Sequence, residues 1–126
     1  MLTAAIVENN ISFREMLKSG LLSQFPSVEV LEAGDGEELF EKFAFSPVDL
    51  IFMDIRLPGQ NGLELTKKIK TSSPDIIIII FTGYDLPEYR EAATRNGADY
   101  FFPKDSTAIR DIFAVVESIS PRRLHR

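Results

Sequence analysis

Ile76-Ile77-Ile78-Ile79-Ile80-Phe81 is an unbroken apolar run, and its reading decides the architecture. A strand with one face in water alternates apolar and polar side chains, whereas a strand buried on both faces does not. A buried helix segment is the alternative, but the short span and the β-branched side chains favour an extended chain. Two-sided burial is the habit of parallel sheets covered above and below by helices.

The rest of the chain fits that reading. Other short apolar runs lie at Ala4 to Val7, Val28 to Leu31, Val48 to Met53 (interrupted by Asp49) and Tyr100 to Phe102. Between them the spacing is helical. Phe13, Leu17, Leu21 and Phe25 recur at intervals of four, with Met16 and Leu22 widening the stripe, and Pro26 stops it. A second helix carries Leu39, Phe40 and Phe43 after Gly36. A third carries Leu63, Leu65 and Ile69 and ends near Ser73-Pro74. The fourth starts at Pro87, suited to a first turn, and stops at Asn96-Gly97. The fifth is expected from about Ser106 to Ser118, with Ile109, Ile112, Phe113 and Val116 inward. Strands alternating with helices predict an α/β domain: a doubly wound, flavodoxin-like, five-stranded parallel sheet of order 2-1-3-4-5 with five helices.

In such a sheet ligands bind beyond the carboxyl ends of the strands, where the strand order reverses. The residues just past each strand are therefore the candidates. Strand 1 is followed by Glu8, Asn9 and Asn10, strand 3 by Asp54, strand 4 ends in Thr82, and Lys104 comes soon after strand 5. Glu8 and Asp54 offer oxygen ligands to a hard divalent cation such as Mg²⁺. An aspartate can be the nucleophile of a phosphoryl transfer, forming an acyl phosphate. A lysine supplies positive charge to the transferring group, and a threonine hydroxyl donates to its oxygens. Each residue also has a plainer role open to it. Asp54 could cap the turn before Pro58-Gly59, Thr82 could be a satisfied strand-end hydroxyl, and Lys104 a solvated loop residue. Glu8 and Asn9 could cap the first helix, and Met53 and Phe101 could be core. The convergence of four strand ends on one rim favours the chemical reading.

These residues sit in a recognisable order. Ile51-Phe52-Met53-Asp54-Ile55-Arg56-Leu57-Pro58-Gly59-Gln60-Asn61-Gly62 resembles the phosphorylation-site signature of two-component response-regulator receiver domains. Phe81-Thr82-Gly83 resembles their strand-4 switch motif, and Gly97-Ala98-Asp99-Tyr100-Phe101-Phe102-Pro103-Lys104-Asp105 the segment around their active-site lysine. Thr82 lies 28 positions and Lys104 50 positions beyond Asp54, and the resemblance spans about residues 3 to 119. It implies a chemotaxis-type receiver, a signalling switch and not an enzyme beyond catalysing its own phosphorylation and dephosphorylation. Asp54 would be the phosphoacceptor, Lys104 a contact to the phosphoryl group, and Thr82 with Phe101 the switch pair. Arg56 and Tyr84 would tune the lifetime of the phosphoryl group. Mg²⁺ would be held by Glu8, Asn9, Asp54 and the backbone carbonyl of Arg56. The implied partners are a histidine kinase or phosphotransfer protein and a downstream output domain or protein. Readout would pass through the surface of the fourth helix, fifth strand and fifth helix, and a homodimer could form on activation.

One departure bears on the metal. The family usually carries two acidic residues after strand 1, and here the pair is Glu8-Asn9. Asparagine keeps a carbonyl oxygen but not the charge, so weakened Mg²⁺ binding is expected. A degenerate receiver, acting as a phosphorylation-independent protein-interaction module, is the alternative. A flavin- or nucleotide-binding enzyme on the same fold is disfavoured, because Glu8-Asn9-Asn10-Ile11-Ser12 lacks the Gly, Ser and Thr of a phosphate loop and no G-x-x-x-x-G-K-[ST] element occurs.

Composition narrows the remaining classes. The 126 residues suit one domain, expected at 1–120, with 121–126 as a basic tail or the start of a linker. A net charge of −5 argues against direct nucleic-acid binding, since the basic cluster is confined to Arg122, Arg123, His125 and Arg126. Without cysteine, neither disulfides nor thiolate metal sites can form. No apolar run approaches the roughly 20 residues of a membrane span and the N-terminus lacks signal-peptide features, so a soluble cytoplasmic protein is expected.

Overall fold

In the computed structural model, which describes residues 2–43, 47–105 and 107–124, the isoleucine run, without Ile76, forms the fourth of five strands. The order along the chain is β1 (Thr3–Val7), α1 (Ile11–Gln24), β2 (Glu29–Ala33), α2 (Gly36–Phe43), β3 (Leu50–Met53), α3 (Gly62–Ser72), β4 (Ile77–Thr82), α4 (Pro87–Arg95), β5 (Tyr100–Pro103) and α5 (Ile109–Leu124). All strand pairs are parallel, and the sheet order is β2-β1-β3-β4-β5, as the sequence predicts.

The two faces of the sheet explain the unbroken apolar run. Ile79 and Phe81 join one core cluster with Ala4, Ile6, Leu50 and Phe52, capped by Leu17 and Leu21 of α1 and Ile112, Val116 and Ile119 of α5. Ile78 and Ile80 point the other way and join Ala5, Val7, Ile51 and Met53 under Leu39, Leu65, Ile69 and Ala93. Burying each such side chain contributes about 1.5–3 kcal/mol, so β4 is costly to expose on either side. Among the described residues no helix is long and apolar enough to cross a membrane.

Several local expectations are corrected. Met16 and Leu22 do not widen the buried stripe of α1: they are 47% and 38% exposed, because Leu17 and Leu21 hold the inward line and residues one position away rotate to its flanks. Ile109 is likewise not inward; it stands at the first turn of α5, 37% exposed, and the buried line runs through Ile112, Val116 and Ile119. That helix begins three residues later than expected and continues past Ser118 to Leu124, crossing position 120. β3 starts at Leu50, not Val48, since Asp49 is occupied in fastening the edge of β1: its main-chain N–H donates to Thr3 O and its Oδ2 accepts the Thr3 N–H at 2.9 Å. The expectations for Ser106, for the side chain of Phe43 and for the basic tail of Arg122, Arg123, His125 and Arg126 lie outside the described residues and side chains.

Candidate functional site

Strand register builds the site. Val7 is paired with Met53, so the next residues, Glu8 and Asp54, leave neighbouring strands at the same level. This is where the chain reverses its order across the sheet, with β1 flanked by β2 on one side and β3 on the other. Thr82 is paired with Pro103, and the following N–H, that of Lys104, donates to Thr82 O at 2.7 Å. Four strand ends thus deliver two carboxylates, a hydroxyl and an ammonium to one rim.

The charged groups meet directly. Lys104 Nζ donates to Glu8 Oε1 in a short contact and to Asp54 Oδ2 at 3.3 Å. Both carboxylates are buried, at 4% and 8% exposure for Glu8 and Asp54. Each also has a second anchor: Glu8 Oε2 accepts the Asn10 N–H at 3.0 Å, and Asp54 Oδ1 accepts the Ile55 N–H at 2.8 Å. Burial pushes the Glu8 carboxyl above its ordinary value, an effect the hydrogen bonds from Lys104 and Asn10 only partly oppose, and the nearby charge of Asp54 adds to it. Two carboxylates against one ammonium leave the rim short of positive charge.

Thr82 is fully buried, and its Oγ1 accepts the Tyr84 N–H at 3.3 Å. The sequence-predicted residues divide at this point. Glu8, Asp54 and Lys104 form one contact cluster, with Thr82 joined through the Lys104 main chain. Asn9 is exposed, beside the carboxylates but outside their contacts. Phe101 stands apart from the cluster, half-buried on β5 against the second core, with the Arg90 guanidinium 4.6 Å from its ring centroid. Arg56 and Tyr84 meet over the outer edge, the guanidinium 4.9 Å from the tyrosine centroid.

Other residues were not anticipated. The capping role weighed for Glu8 and Asn9 belongs to Asn10, whose Oδ1 accepts the Phe13 N–H at 3.0 Å and starts α1; asparagine three residues before an apolar helical stripe was the readable signal. Arg14 donates to Glu8 O at 2.8 Å and so holds the main chain behind the carboxylate. Gly62, quoted above only as part of a motif, is where α3 crosses the back of Asp54. A Cβ there would stand 2.0 Å from Asp54 O, so no side chain fits without moving the loop. Phe13 approaches Lys104, a long-range contact that no spacing announces. A groove lined by Asp35, Phe40, Pro58, Gln60 and Lys68 lies next to this rim but includes none of the clustered charges.

Comparison with other proteins places this geometry. Residues 4–117 match the model of the response regulator receiver domain. The chain belongs to the response-regulator receiver family. Within 72 aligned residues, 56% of this receiver, it is 42% identical to the transcriptional regulatory protein ComA of Bacillus subtilis, covering 34% of that protein. It is 34% identical to the oxygen regulatory protein NreC of Staphylococcus carnosus, over 82% of this receiver and 52% of that protein. This receiver therefore spans about half, or less, of the curated relatives' length. Among solved structures, the response regulator TrrA of Thermotoga maritima, in complex with Mg²⁺ and beryllofluoride, superposes with a TM-score of 0.82 at 30% identity, covering 94% of this receiver and 99% of that chain.

Proposed function

We propose that Asp54 is a phosphoacceptor, charged by a histidine kinase or phosphotransfer protein, and that the resulting change of state is read by an output domain or partner protein. The observation that carries this reading is the grip of one ammonium, Lys104, on the two buried carboxylates Glu8 and Asp54 at the switch point of the sheet. In the transfer, an Asp54 carboxylate oxygen attacks the phosphorus of a phosphohistidine. The new O–P bond forms as the P–N bond breaks, and the imidazole departs with the electron pair. Asp54 Oδ2, facing Lys104, is the oxygen whose neighbourhood neutralises added negative charge.

The residues suit Mg²⁺. That ion takes one or two carboxylates and keeps several waters, and the rim offers the Glu8 and Asp54 carboxylates with a deficit of positive charge. Glu8, Asp54, the amide oxygen of Asn9 and the main-chain carbonyl of Arg56 would hold it. When bound, it neutralises charge on a transferring phosphoryl group. Asn9 lowers the charge of the ligand set, and weaker binding than in a fully acidic rim is the expected consequence.

Thr82 and Phe101 act as the switch pair in this reading. A phosphoryl group adds about −1.5 to −2 charges, which draw Lys104 and Thr82 and bias the α4-β5-α5 surface. The receiver is then a cytoplasmic signalling component, with no direct nucleic-acid or membrane contact of its own and with a homodimer as one way to read activation. Its unit is taken as 1–120, although α5 carries the helix across that boundary.

The test is the intact mass of the protein after incubation with acetyl phosphate, with and without Mg²⁺. Gain of one phosphoryl group, absent in Asp54→Asn, supports the reading. No gain under any Mg²⁺ concentration overturns it in favour of a phosphorylation-independent interaction module.

A further inference from the structure

We propose that Phe13 is the positioning residue that fixes the Lys104 ammonium between the two carboxylates. This inference deepens the reading of Asp54 as phosphoacceptor and rests on it for its kinetic consequence.

An ammonium has three N–H donors on a flexible four-carbon stem, so it must be constrained to act at one place. Lys104 Nζ contacts Glu8 Oε1, lies 3.3 Å from Asp54 Oδ2, and stands 4.2 Å from the centroid of the Phe13 ring. The ring face carries partial negative charge and attracts the cation without offering a competing hydrogen-bond acceptor. Three sides of the ammonium are thereby occupied, two by groups that lose or share charge during the reaction and one by a group that does not.

The ring is itself held. Phe13 packs on Phe81, centroids 5.0 Å apart and tilted by 57°, and Phe81 immediately precedes Thr82. Its main-chain N–H caps onto Asn10 Oδ1, and the Asn10 N–H holds Glu8 Oε2. The contacts close into a loop: Glu8 to Asn10, Asn10 to Phe13, Phe13 to Lys104, and Lys104 back to Glu8. A leucine at position 13 would fill the apolar space against Phe81 but supply no ring face, whereas tyrosine would keep the face.

The experiment compares wild type, Phe13→Leu and Phe13→Tyr by two readouts, with thermal denaturation of each to separate loss of fold. In lysine-labelled protein, with the signal assigned through Lys104→Arg, the Lys104 ε-methylene resonance is shifted upfield by the ring in wild type and Phe13→Tyr, and returns to the ordinary lysine position in Phe13→Leu. Phosphorylation of Asp54 by acetyl phosphate slows about three- to tenfold in Phe13→Leu and stays within about twofold of wild type in Phe13→Tyr. An unshifted Lys104 signal in wild type overturns the proposal, as does a Phe13→Leu protein that keeps the wild-type rate or a Phe13→Tyr protein that falls as far as Phe13→Leu. A folded wild type that takes up no phosphoryl group overturns the phosphoacceptor reading instead, and the resonance position then decides the Phe13 contact by itself.

Discussion

The inner and outer walls of the rim use similar contacts at different depths. On the inner side Glu8, Asn10, Phe13, Asp54 and Lys104 are buried or half-buried except for Asn10, and main-chain hydrogen bonds anchor both carboxylates. On the outer side Arg56, Tyr84, Asp85 and Arg90 are exposed, and they meet through ring contacts and a surface ion pair, Arg90 to Asp85 at 2.9 Å. At exposed positions such contacts are worth little each and break easily. In the proposed switch, the inner wall would hold charge in register while the outer wall changes shape. Phe101, the proposed switch partner of Thr82, adjoins the outer side, with the Arg90 guanidinium 4.6 Å from its ring centroid.

The contrast can be broken most severely from the inside. Lys104→Met should slow acetyl phosphate labelling of Asp54 by about 10² to 10³, the usual cost of removing one preorganised charge-stabilising donor, as intact mass over time would report. Gly62→Ala should destabilise the fold by about 3 kcal/mol in chemical denaturation, since the added methyl meets Asp54 O and the backbone must yield; an unchanged midpoint would refute the claim that Gly62 sets the loop. Asn9→Asp restores a charge at an exposed position beside the carboxylates and should tighten Mg²⁺ binding about tenfold by titration calorimetry. Equal affinity in the two proteins would remove Asn9 from the ligand set. On the outer wall, Tyr84→Ala should speed loss of the phosphoryl group only about two- to fivefold, with folding stability nearly unchanged. A larger loss of stability would mean that the two walls are not distinct.

The smallest effect is on pH. Burial raises the Glu8 carboxyl above its ordinary value of 4.5, so the folded protein binds a proton there more readily than the unfolded chain. The stability this contributes is complete below that ordinary value and is lost as pH rises through the raised one. In metal-free buffer, denaturation midpoints of wild type against Glu8→Gln should diverge in that window, wild type losing ground as pH rises. Parallel curves would show that the Lys104 and Asn10 hydrogen bonds offset the burial.

The sequence was legible wherever a pattern is local or set by topology. The isoleucine run, the Pro87 and Asn96-Gly97 boundaries of α4 and the strand-end positions of Asp54, Thr82 and Lys104 follow from period, capping chemistry and the switch-point rule. Illegible parts depend on rotation or on distant approach. Met16 and Leu22 look apolar enough to be core, but the helix phase set by Leu17 and Leu21 turns them out. The clamp of Phe13 on Lys104 joins α1 to the end of β5, and nothing in either segment announces the other. Gly62 reads as an ordinary helix start until the carbonyl of Asp54 is placed beside it.

The strand that opened the structure has a consequence for the chain before it folds. Ile76 to Phe81 is short, β-branched and uncharged, the composition that stacks readily with copies of itself when left exposed. In the sheet it is sealed by β3 on one edge and β5 on the other, so the hazard exists only while those pairings are incomplete. β5 is made after β4, and its closure waits for α4 to be laid down between them. During synthesis a segment that the finished receiver buries on both faces is thus one that must be kept from meeting another nascent chain, and Pro74 and Asp75 stand at its entrance as the residues that discourage such stacking.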